Sequence, residues 1–345
     1  MKEISARLEI MNHLLLKRRE LLRLGLLTGI VGLTGCGIRR DKPILRTSRE
    51  ILPKEFLQEL PNSWQIKYMG LDSSIDQDRF VSEENPTDLL ALEDGWLSKF
   101  AFDELLAIDS EKLFPKLNNQ ARKLLDIYKD SDATKIFPVG VSPWVMIFRN
   151  GEAWIQKARE SWDVLLEPGL KGHLVLPNSP RLVISIADKM AHAEALRKLI
   201  GQAKTFDDRN ALNWVLAGKA RVAVLPLKRC MKSLIRDPRL SVVLPTEGAP
   251  LNWTVLLRPR SSSENLPISW LEESWTSPIL DKLLSRGWIA PLSYSRLVKA
   301  RGFIRKDLQP IVLPSENVWE NCWSFPPLND LEQKTLVNRW ISSIS

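Results

Sequence analysis

The sequence has few of the residues that build metal sites and disulfide frameworks. It contains three cysteines and three histidines in 345 residues. His173 and His192 lie far apart, with no cysteine or carboxylate spaced around them as zinc ligands would be, which argues against a zinc site. Apart from Cys36, only Cys230 and Cys322 remain. They could form one disulfide in an oxidising compartment but not a framework, and the sequence leaves their pairing open.

The motifs of common enzyme classes are also missing. The chain has no glycine-rich phosphate loop and no nucleophile elbow, and nothing in it assembles a catalytic triad. The formal net charge is +8, but the basic residues are spread along the chain, whereas a nucleic-acid interface needs them clustered. We therefore expect a protein that is not an enzyme, with no cofactor and no nucleic-acid partner.

No apolar run is long enough to cross a membrane. The longest run, Leu24–Thr34, has about half of the roughly 20 residues that a span requires. Three cationic residues precede it at 17–19, which is typical of a signal peptide. The run ends in "LTGC", which is similar to the bacterial lipobox, where a cysteine is lipidated. We expect residues 1–35 to be removed and Cys36 to anchor the protein to the periplasmic side of the cell membrane.

Some features of this leader stay open. The pair Arg18-Arg19, followed by Glu20 and two leucines, resembles a twin-arginine export signal, but the general secretory route is equally compatible with it. Translation could start at Met1 or at Met11. The alternative is that the run forms a buried core helix or an uncleaved anchor.

The rest of the chain alternates short apolar strands with helical patterns. This alternation favours an α/β fold with a largely parallel, buried sheet. Residues 135–150 form a long β-rich run that Pro138 and Pro143 are expected to interrupt. Ligands of such sheets bind beyond the carboxyl ends of strands. The candidate binding edges are therefore Glu93–Trp96, Asn178–Arg181, Pro226–Leu227 and Asn252–Thr254.

Four segments in the middle of the chain carry a resemblance to a known family. They read "TDLLALEDGWLSKF", "FPVGVSPWVMIFRN", "ESWDVLLEPGLKGHLVLPNSPR" and "VVLPTEGAPLNWTVLLRP". In the third segment, the residues that match the family pattern are Trp162, Asp163, Leu165, Pro168, Lys171 and Gly172. With these residues the chain resembles the spermidine/putrescine-binding proteins of bacterial ABC importers, most strongly between residues 86 and 260 and more weakly over 45–340.

The resemblance implies the type II fold of periplasmic binding proteins. In this α/β fold, two lobes, each a mostly parallel sheet flanked by helices, are joined by two crossovers around a cleft. The implied division of this chain is a signal peptide (1–35), a tether (36–44), the first part of lobe 1 (45–142), lobe 2 (143–252), the return to lobe 1 (253–305) and a C-terminal segment packing on lobe 2 (306–345).

The resemblance also implies a function. The expected protein is a substrate-binding lipoprotein of an ABC importer that captures a polyamine in the cleft and delivers it to a membrane permease. A monomer is the default expectation. Two alternatives stay open: the same fold could bind another solute, such as an amino-acid derivative, an anion or a metal, or it could serve as a membrane-tethered scaffold or sensor without a ligand.

A polyamine site needs two or more acids and a set of aromatic rings, because each ammonium group loses its water on binding. Several family positions carry other residues here, among them Ser48, Ile51, Leu182 and Pro226. The candidate ligand-binding residues that the resemblance implies are Glu93, Asp94, Trp96, Ser142, Trp144, Ser179, Arg181, Asn252, Trp253, Thr254 and Trp288.

Each candidate has a structural alternative. Glu93 and Asp94 could cap the helix expected near Gly95, a common role for aspartate. The tryptophans could belong to the core. Arg181 could bind an anion or pair with a surface acid.

Overall fold

The computed structural model describes residues 42–70 and 86–344. The predicted signal peptide, Cys36 and most of the tether lie outside the described residues. The strands within them are β1 (Ile44–Thr47), β2 (Gln65–Tyr68), β3 (Leu89–Glu93), β4 (Leu105–Leu106), β5 (Ile136–Arg149), β6 (Leu174–Leu176), β7 (Ala203–Phe206), β8 (Val222–Pro226), β9 (Leu240–Val243) and β10 (Leu251–Pro259).

The α-helices of the described residues lie mostly between these strands. They are α1 (Lys54–Gln58), α2 (Asn119–Asp126), α3 (Asp130–Ala133), α4 (Ile155–Ala158), α5 (Pro180–Ala187), α6 (Ala195–Gln202), α7 (Ala211–Leu216), α8 (Leu227–Arg236), α9 (Ile268–Ser274), α10 (Ile279–Ser285), α11 (Tyr294–Lys299), α12 (Gln309–Val312), α13 (Glu316–Asn321) and α14 (Asp330–Ile344).

The strands form two sheets that share the long strand β5. The first sheet has the order β2-β1-β3-β10-β5, and the second runs from β5 through β8 and β6 to β7, with β9 on the other side of β5. Strands β1, β2 and β3 are parallel, as are β6, β7 and β8, whereas β5 and β10 run antiparallel to their neighbours. Each sheet is therefore mostly parallel and is completed by a strand of opposite direction.

Strand β5 passes from one sheet to the other at its centre. Its residues up to Pro143 pair with β10, and those from Trp144 onward pair with β8. Strands β9 and β10 follow each other in the sequence but lie in different sheets, because each pairs with a different half of β5. The lobe boundaries inferred from the resemblance stay predictions.

Both prolines lie inside β5, where an interruption was expected. Pro138 pairs with Val255 beside a register shift in β10, where a residue without an N–H group is tolerated. Pro143 lies where the strand changes partners, and the next N–H group, that of Trp144, donates to the carbonyl oxygen of Pro250. The strand therefore continues through both prolines, one beside a register shift and the other at the change of partner strand.

The core of the first sheet is built around tryptophan rings. Trp270 donates from Nε1 to the carbonyl oxygen of Phe56 at 2.7 Å, and the Phe56 ring lies 4.9 Å from that of Trp288. The Trp288 ring lies directly over Gly140 of β5, so that a Cβ atom there would come within 2.1 Å of it. This close approach of ring and backbone explains the glycine at position 140.

The C-terminal segment packs against the helices of the second sheet. Helix α14 contacts α5 and α6, and the Trp340 ring meets that of Phe206 edge to face at 5.4 Å. In the described residues, no helix combines the length and the apolar character that a membrane crossing needs. Cys230 and Cys322 are buried free thiols in this structure.

Candidate functional site

Four of the expected site residues lie on one face of the first sheet. Thr254 of β10 is directly opposite Glu93 of β3 and Gly140 of β5, and Asn252 is directly opposite Ser142. Residues paired across strands point to the same face, as do residues two apart along a strand. Glu93, Ser142, Asn252 and Thr254 therefore form one polar surface at the edge where β3 ends. We call these four residues the polar face.

Lys228, which was not among the candidates, connects this face to the second sheet. It follows β8 as the second residue of α8, and its backbone N–H donates to Oγ of Ser142 at 2.9 Å. Its ammonium nitrogen Nζ lies 2.8 Å from Oε1 of Glu93. The Lys228 side chain is 8% exposed and that of Glu93 20%, so water screens this ion pair only weakly.

Burial and charge act against each other on Glu93. Removal from water raises the pKa of the carboxyl, but the charge of Lys228, its hydrogen bond and the nearby Arg229 outweigh this effect. A hydrogen bond from the side chain of Asn252 acts in the same direction, and the pKa ends below its usual range. Glu93 is therefore a carboxylate whose counter-ion belongs to the protein itself.

Asp94, the next residue, has a pKa that is shifted in the opposite direction. Its Oδ1 accepts a hydrogen bond from the backbone N–H of Trp253 at 3.1 Å, and no described residue forms an ion pair with it. Burial, together with the charge of Glu93, raises the pKa of Asp94 to about 7, although the Trp253 hydrogen bond, Lys228 and Arg181 lower it. Asp94 is the acid of this site that has no fixed cation in bonding contact.

A third acid comes from the second sheet. Asp208 follows β7, and its Oδ1 accepts a hydrogen bond from the backbone N–H of Asn178 at 3.1 Å. Burial and the charge of Glu93 raise the pKa of Asp208, while Arg229 lowers it. Arg229 also lies 3.8 Å from the exposed carboxylate of Glu50, so charged groups of the two sheets face each other at several points.

Several buried polar atoms at the polar face have no hydrogen-bond partner in the described structure. They are Oδ1 of Asn252, Oγ1 of Thr254 and Nε1 of Trp288, whose ring covers the neighbouring Gly140. An unsatisfied buried polar atom costs about 1–3 kcal/mol, and native proteins rarely keep several together. These atoms, one acceptor, one hydroxyl that can donate or accept, and one donor, therefore leave hydrogen-bonding capacity unused at this face.

Arg181 and Ser179 stand at the start of helix α5. Ser179 caps the helix, since its Oγ accepts from the N–H of Leu182 at 3.4 Å. The Arg181 guanidinium lies 5.1 Å from the centre of the Phe325 ring and donates to the carbonyl oxygen of Pro326. Arg181 therefore contacts the C-terminal segment, and its role in binding an anion stays a prediction.

The four candidate tryptophans differ in accessibility. Trp144 and Trp96 are partly buried against the core. Trp253 and Trp288 are at most 1% exposed, and Trp253 donates from Nε1 to Oγ of Ser324 at 2.8 Å. Trp253 and Trp288 thus have almost no ring surface to offer a solute in this conformation. Glu93 occupies the N-cap position of the short 3₁₀ helix Asp94–Lys99 but makes no capping hydrogen bond with its side chain, and Oδ1 of Asp94 accepts from Trp253 instead.

Three charged residues near this site, Lys228, Arg229 and Asp208, were not predicted from the sequence. Lys228 and Arg229 directly follow the edge Pro226–Leu227, which was identified as a candidate binding edge, and this position was the available signal. Asp208 follows β7, a strand whose half-polar sequence "AKTF" gives a weak strand pattern.

The comparison with protein families identifies the group to which this arrangement belongs. The profile of the bacterial extracellular solute-binding proteins matches residues 84–288, which is more than half of the chain. This chain belongs to that family. Its members bind solutes outside the cell and are normally not catalysts, which agrees with the expected absence of an enzyme motif.

Solved structures confirm the two-lobe α/β fold. One is the spermidine/putrescine ABC transporter substrate-binding protein PotD of Streptococcus pneumoniae, crystallised with calcium and HEPES, with a TM-score of 0.61 at 13% identity; 88% of this chain and 98% of that one are covered. The Tp0655 (TpPotD) lipoprotein of Treponema pallidum has a TM-score of 0.61 at 14% identity and coverages of 88% and 99%.

Proteins with a different cargo share the fold. The apo ferric ion-binding protein A of Pasteurella haemolytica has a TM-score of 0.57 at 13% identity, covering 88% of this chain and 96% of that one. Since all these identities are low, the likeness establishes the fold and leaves the solute open. No curated protein matches the sequence. The described residues contain no group of three or more histidine, cysteine, aspartate or glutamate residues arranged to hold a metal ion.

Proposed function

We propose that this protein is the substrate-binding lipoprotein of an ABC importer and that its solute carries protonated amines, as spermidine and putrescine do. The polar face and the acids beside it carry the proposal, because the carboxyl groups of Glu93, Asp94 and Asp208 are combined with unsatisfied hydrogen-bonding atoms on β10. Such a surface binds a small nitrogen-bearing solute better than an apolar or a purely anionic one.

Binding of the solute would be coupled to closure of the cleft between the two lobes. A solute that contacts Asp94 from one side and Asp208 from the other stabilises the closed form by its differential affinity for that form. The permease would then recognise the closed shape. In this role the protein works as a monomer and catalyses no reaction.

A thermal-shift screen of the mature chain tests the proposal. A solute present at about 100 times its dissociation constant adds ~2.7 kcal/mol to the free energy of unfolding, which is measured as a higher melting temperature. We expect at least one amine-bearing solute of a panel of polyamines, monoamines, amino-acid derivatives, small anions and ferric ion to have this effect. If an anion or ferric ion alone raises the melting temperature, the amine assignment is wrong, and if nothing does, a scaffold or sensor role replaces it.

A second candidate solute is an amino-acid derivative with charges of both signs. The specific observation in its favour is that Lys228 already provides Glu93 with a cation and that Arg229 lies beside it. A carboxylate of the solute could then bind near these basic groups while its ammonium binds Asp94.

The proposed anchor is tested separately. Substitution Cys36→Ser removes the thiol that a lipid would modify, so the exported protein should move from the membrane fraction to the soluble fraction. Retention in the membrane fraction would show that something other than Cys36 holds it there.

A further inference from the structure

The position of Lys228 suggests what limits the charge of the solute. In a site for a di- or trication, each carboxylate lacks a cation of the protein and pairs with an ammonium group of the solute, since a buried carboxylate needs a nearby positive charge. Here the Lys228 ammonium lies 2.8 Å from Glu93. The acid that could receive one ammonium group of a polyamine is therefore already paired.

The lysine is held in this position by its backbone as well as by its charge. Its N–H donates to Oγ of Ser142, a fully buried residue of the polar face. Lys228 is also the second residue of helix α8, which packs tightly elsewhere, since Gly287 leaves no room for a side chain against Leu227 and Met231. A solute would have to displace a fixed residue to reach Glu93 with its own ammonium.

Besides Glu93, the site residues on the first sheet provide uncharged hydrogen-bonding groups and one further carboxyl group. Asn252, Thr254 and Trp288 offer uncharged hydrogen-bonding atoms without partners. Asp94 offers a carboxylate without an ion pair, held by the N–H of Trp253. On the second sheet, Asp208 already has Arg229 beside it, since the Arg229 guanidinium donates to the Asp208 carbonyl oxygen at 3.3 Å and its charge lowers the pKa of the Asp208 carboxyl. These groups together fit one ammonium group at Asp94 and a polar, uncharged or anionic remainder of the solute.

We propose that Lys228 is a tethered cation that fills the ammonium position at Glu93, so that the site selects solutes with a single ammonium group over polyamines. The inference rests on the proposed function and narrows it, because it names monoamines and amino-acid derivatives as the solute class. It also makes Lys228 a bridge between the two sheets when no solute is bound.

The test compares binding of putrescine, a dication, with binding of butylamine, which has one ammonium group, by calorimetric titration of the mature protein. We expect the wild type to bind butylamine at least as tightly as putrescine. We expect Lys228→Met, which keeps the length of the side chain without its charge, to bind putrescine at least tenfold more tightly than the wild type does.

Two further variants control the interpretation. In the double variant Glu93→Gln/Lys228→Met the gain in putrescine affinity should disappear, because the Glu93 carboxylate that Lys228→Met leaves unpaired is no longer present. Lys189→Met removes a lysine that lies over the Trp323 ring, 5.0 Å from its centre, and that is not the ion-pair partner of Glu93; this variant should bind both amines as the wild type does.

The outcomes separate this inference from the proposed function. If the wild type binds putrescine more than tenfold more tightly than butylamine, or if Lys228→Met binds putrescine no better than the wild type, the tethered-cation inference is overturned while amine binding stands. If neither protein binds any amine, both proposals fail. The wild-type comparison needs no variant, so it decides the question even if Lys228→Met does not fold.

Discussion

Glu93 and Asp94 are neighbours in the sequence, yet the structure gives their carboxyl groups opposite environments. The Glu93 side of the site faces the second sheet, where Lys228 lies in ion-pairing contact and holds the pKa of Glu93 below its usual range. The Asp94 side faces the backbone of Trp253 and the C-terminal segment, and burial raises the pKa of Asp94 to about 7. The difference shows that the counter-ion, more than burial alone, decides in which direction the pKa of a buried acid shifts.

The largest expected effect comes from removing the cation on the Glu93 side. Lys228→Met leaves Glu93 as a buried carboxylate without its partner, and we expect the free energy of unfolding to fall by about 3 kcal/mol in urea denaturation at neutral pH. The double variant Glu93→Gln/Lys228→Met should recover most of this loss. Equal losses in the single and the double variant would mean that the ion pair is not the cause.

The next effect concerns the Asp94 side and its dependence on pH. The pKa of Asp94 rises from 3.8 to about 7 on folding, so between these values the folded protein holds a proton that the unfolded chain releases. Stability from this group is therefore complete below about pH 4 and declines as the pH rises toward 7. The side chain of the variant Asp94→Asn stays uncharged at every pH, and its amide oxygen can still accept the hydrogen bond from the N–H of Trp253.

We expect Asp94→Asn to be more stable than the wild type at pH 8 by about 1–3 kcal/mol, and close to the wild type near pH 4. Urea denaturation at several pH values measures the difference. For Glu93, whose pKa is lowered, the sign is reversed: its stabilising contribution is present at neutral pH and is lost as the medium becomes acidic. If Asp94→Asn changed the free energy of unfolding equally at all pH values, the pKa of Asp94 would not be raised, and the two acids would not differ as described.

A smaller effect is expected where the C-terminal segment meets the Asp94 side. Ser324→Ala leaves the buried Nε1 of Trp253 without its acceptor and should lower the free energy of unfolding by about 1–2 kcal/mol. The exposed Ser342→Ala is the matched control and should change it by less than about 0.5 kcal/mol. Similar losses in both variants would show that the Trp253 hydrogen bond is not what stabilises this contact.

The smallest effect is expected from Arg181→Gln. It removes a partly exposed cation from the Phe325 ring, which we expect to lower the free energy of unfolding by about 0.5 kcal/mol. It also removes a positive charge that lowers the pKa of Asp94. The pH at the midpoint of the stability change should therefore be higher in the variant than in the wild type. An unchanged midpoint would show that the charge of Arg181 does not affect the pKa of Asp94.

The individual strands and helices could be predicted from the sequence better than the pairing of the strands. The apolar runs Leu89–Leu92 and 221–226 became the strands β3 and β8, because a strand buried on both faces must be apolar throughout. The assignment of β9 and β10 to different sheets was not visible, since both are apolar and a short turn region separates them. Their pairing depends on β5, which is about a hundred residues away in the sequence.

The site was predicted in part. Strand ends indicated Glu93, Asn252 and Thr254, and the family resemblance indicated Ser142. The structure brings these four residues together on one face. Lys228 was missed because a lysine at the start of a helix looks like a solvent-exposed residue, and nothing local indicates that its side chain meets a carboxylate 135 positions earlier. The roles of all these residues in binding a solute stay predictions.

By itself, the sequence determined the α/β class, the strand ends where polar residues cluster and the family resemblance, because apolar patterns and short motifs are local properties of a chain. Only the tertiary structure decided which charges meet. Glu93 acquires Lys228 and Asp94 acquires the N–H of Trp253 through contacts between distant segments, and the electrostatic energy of a buried charge depends on distances of a few ångströms that no local pattern encodes.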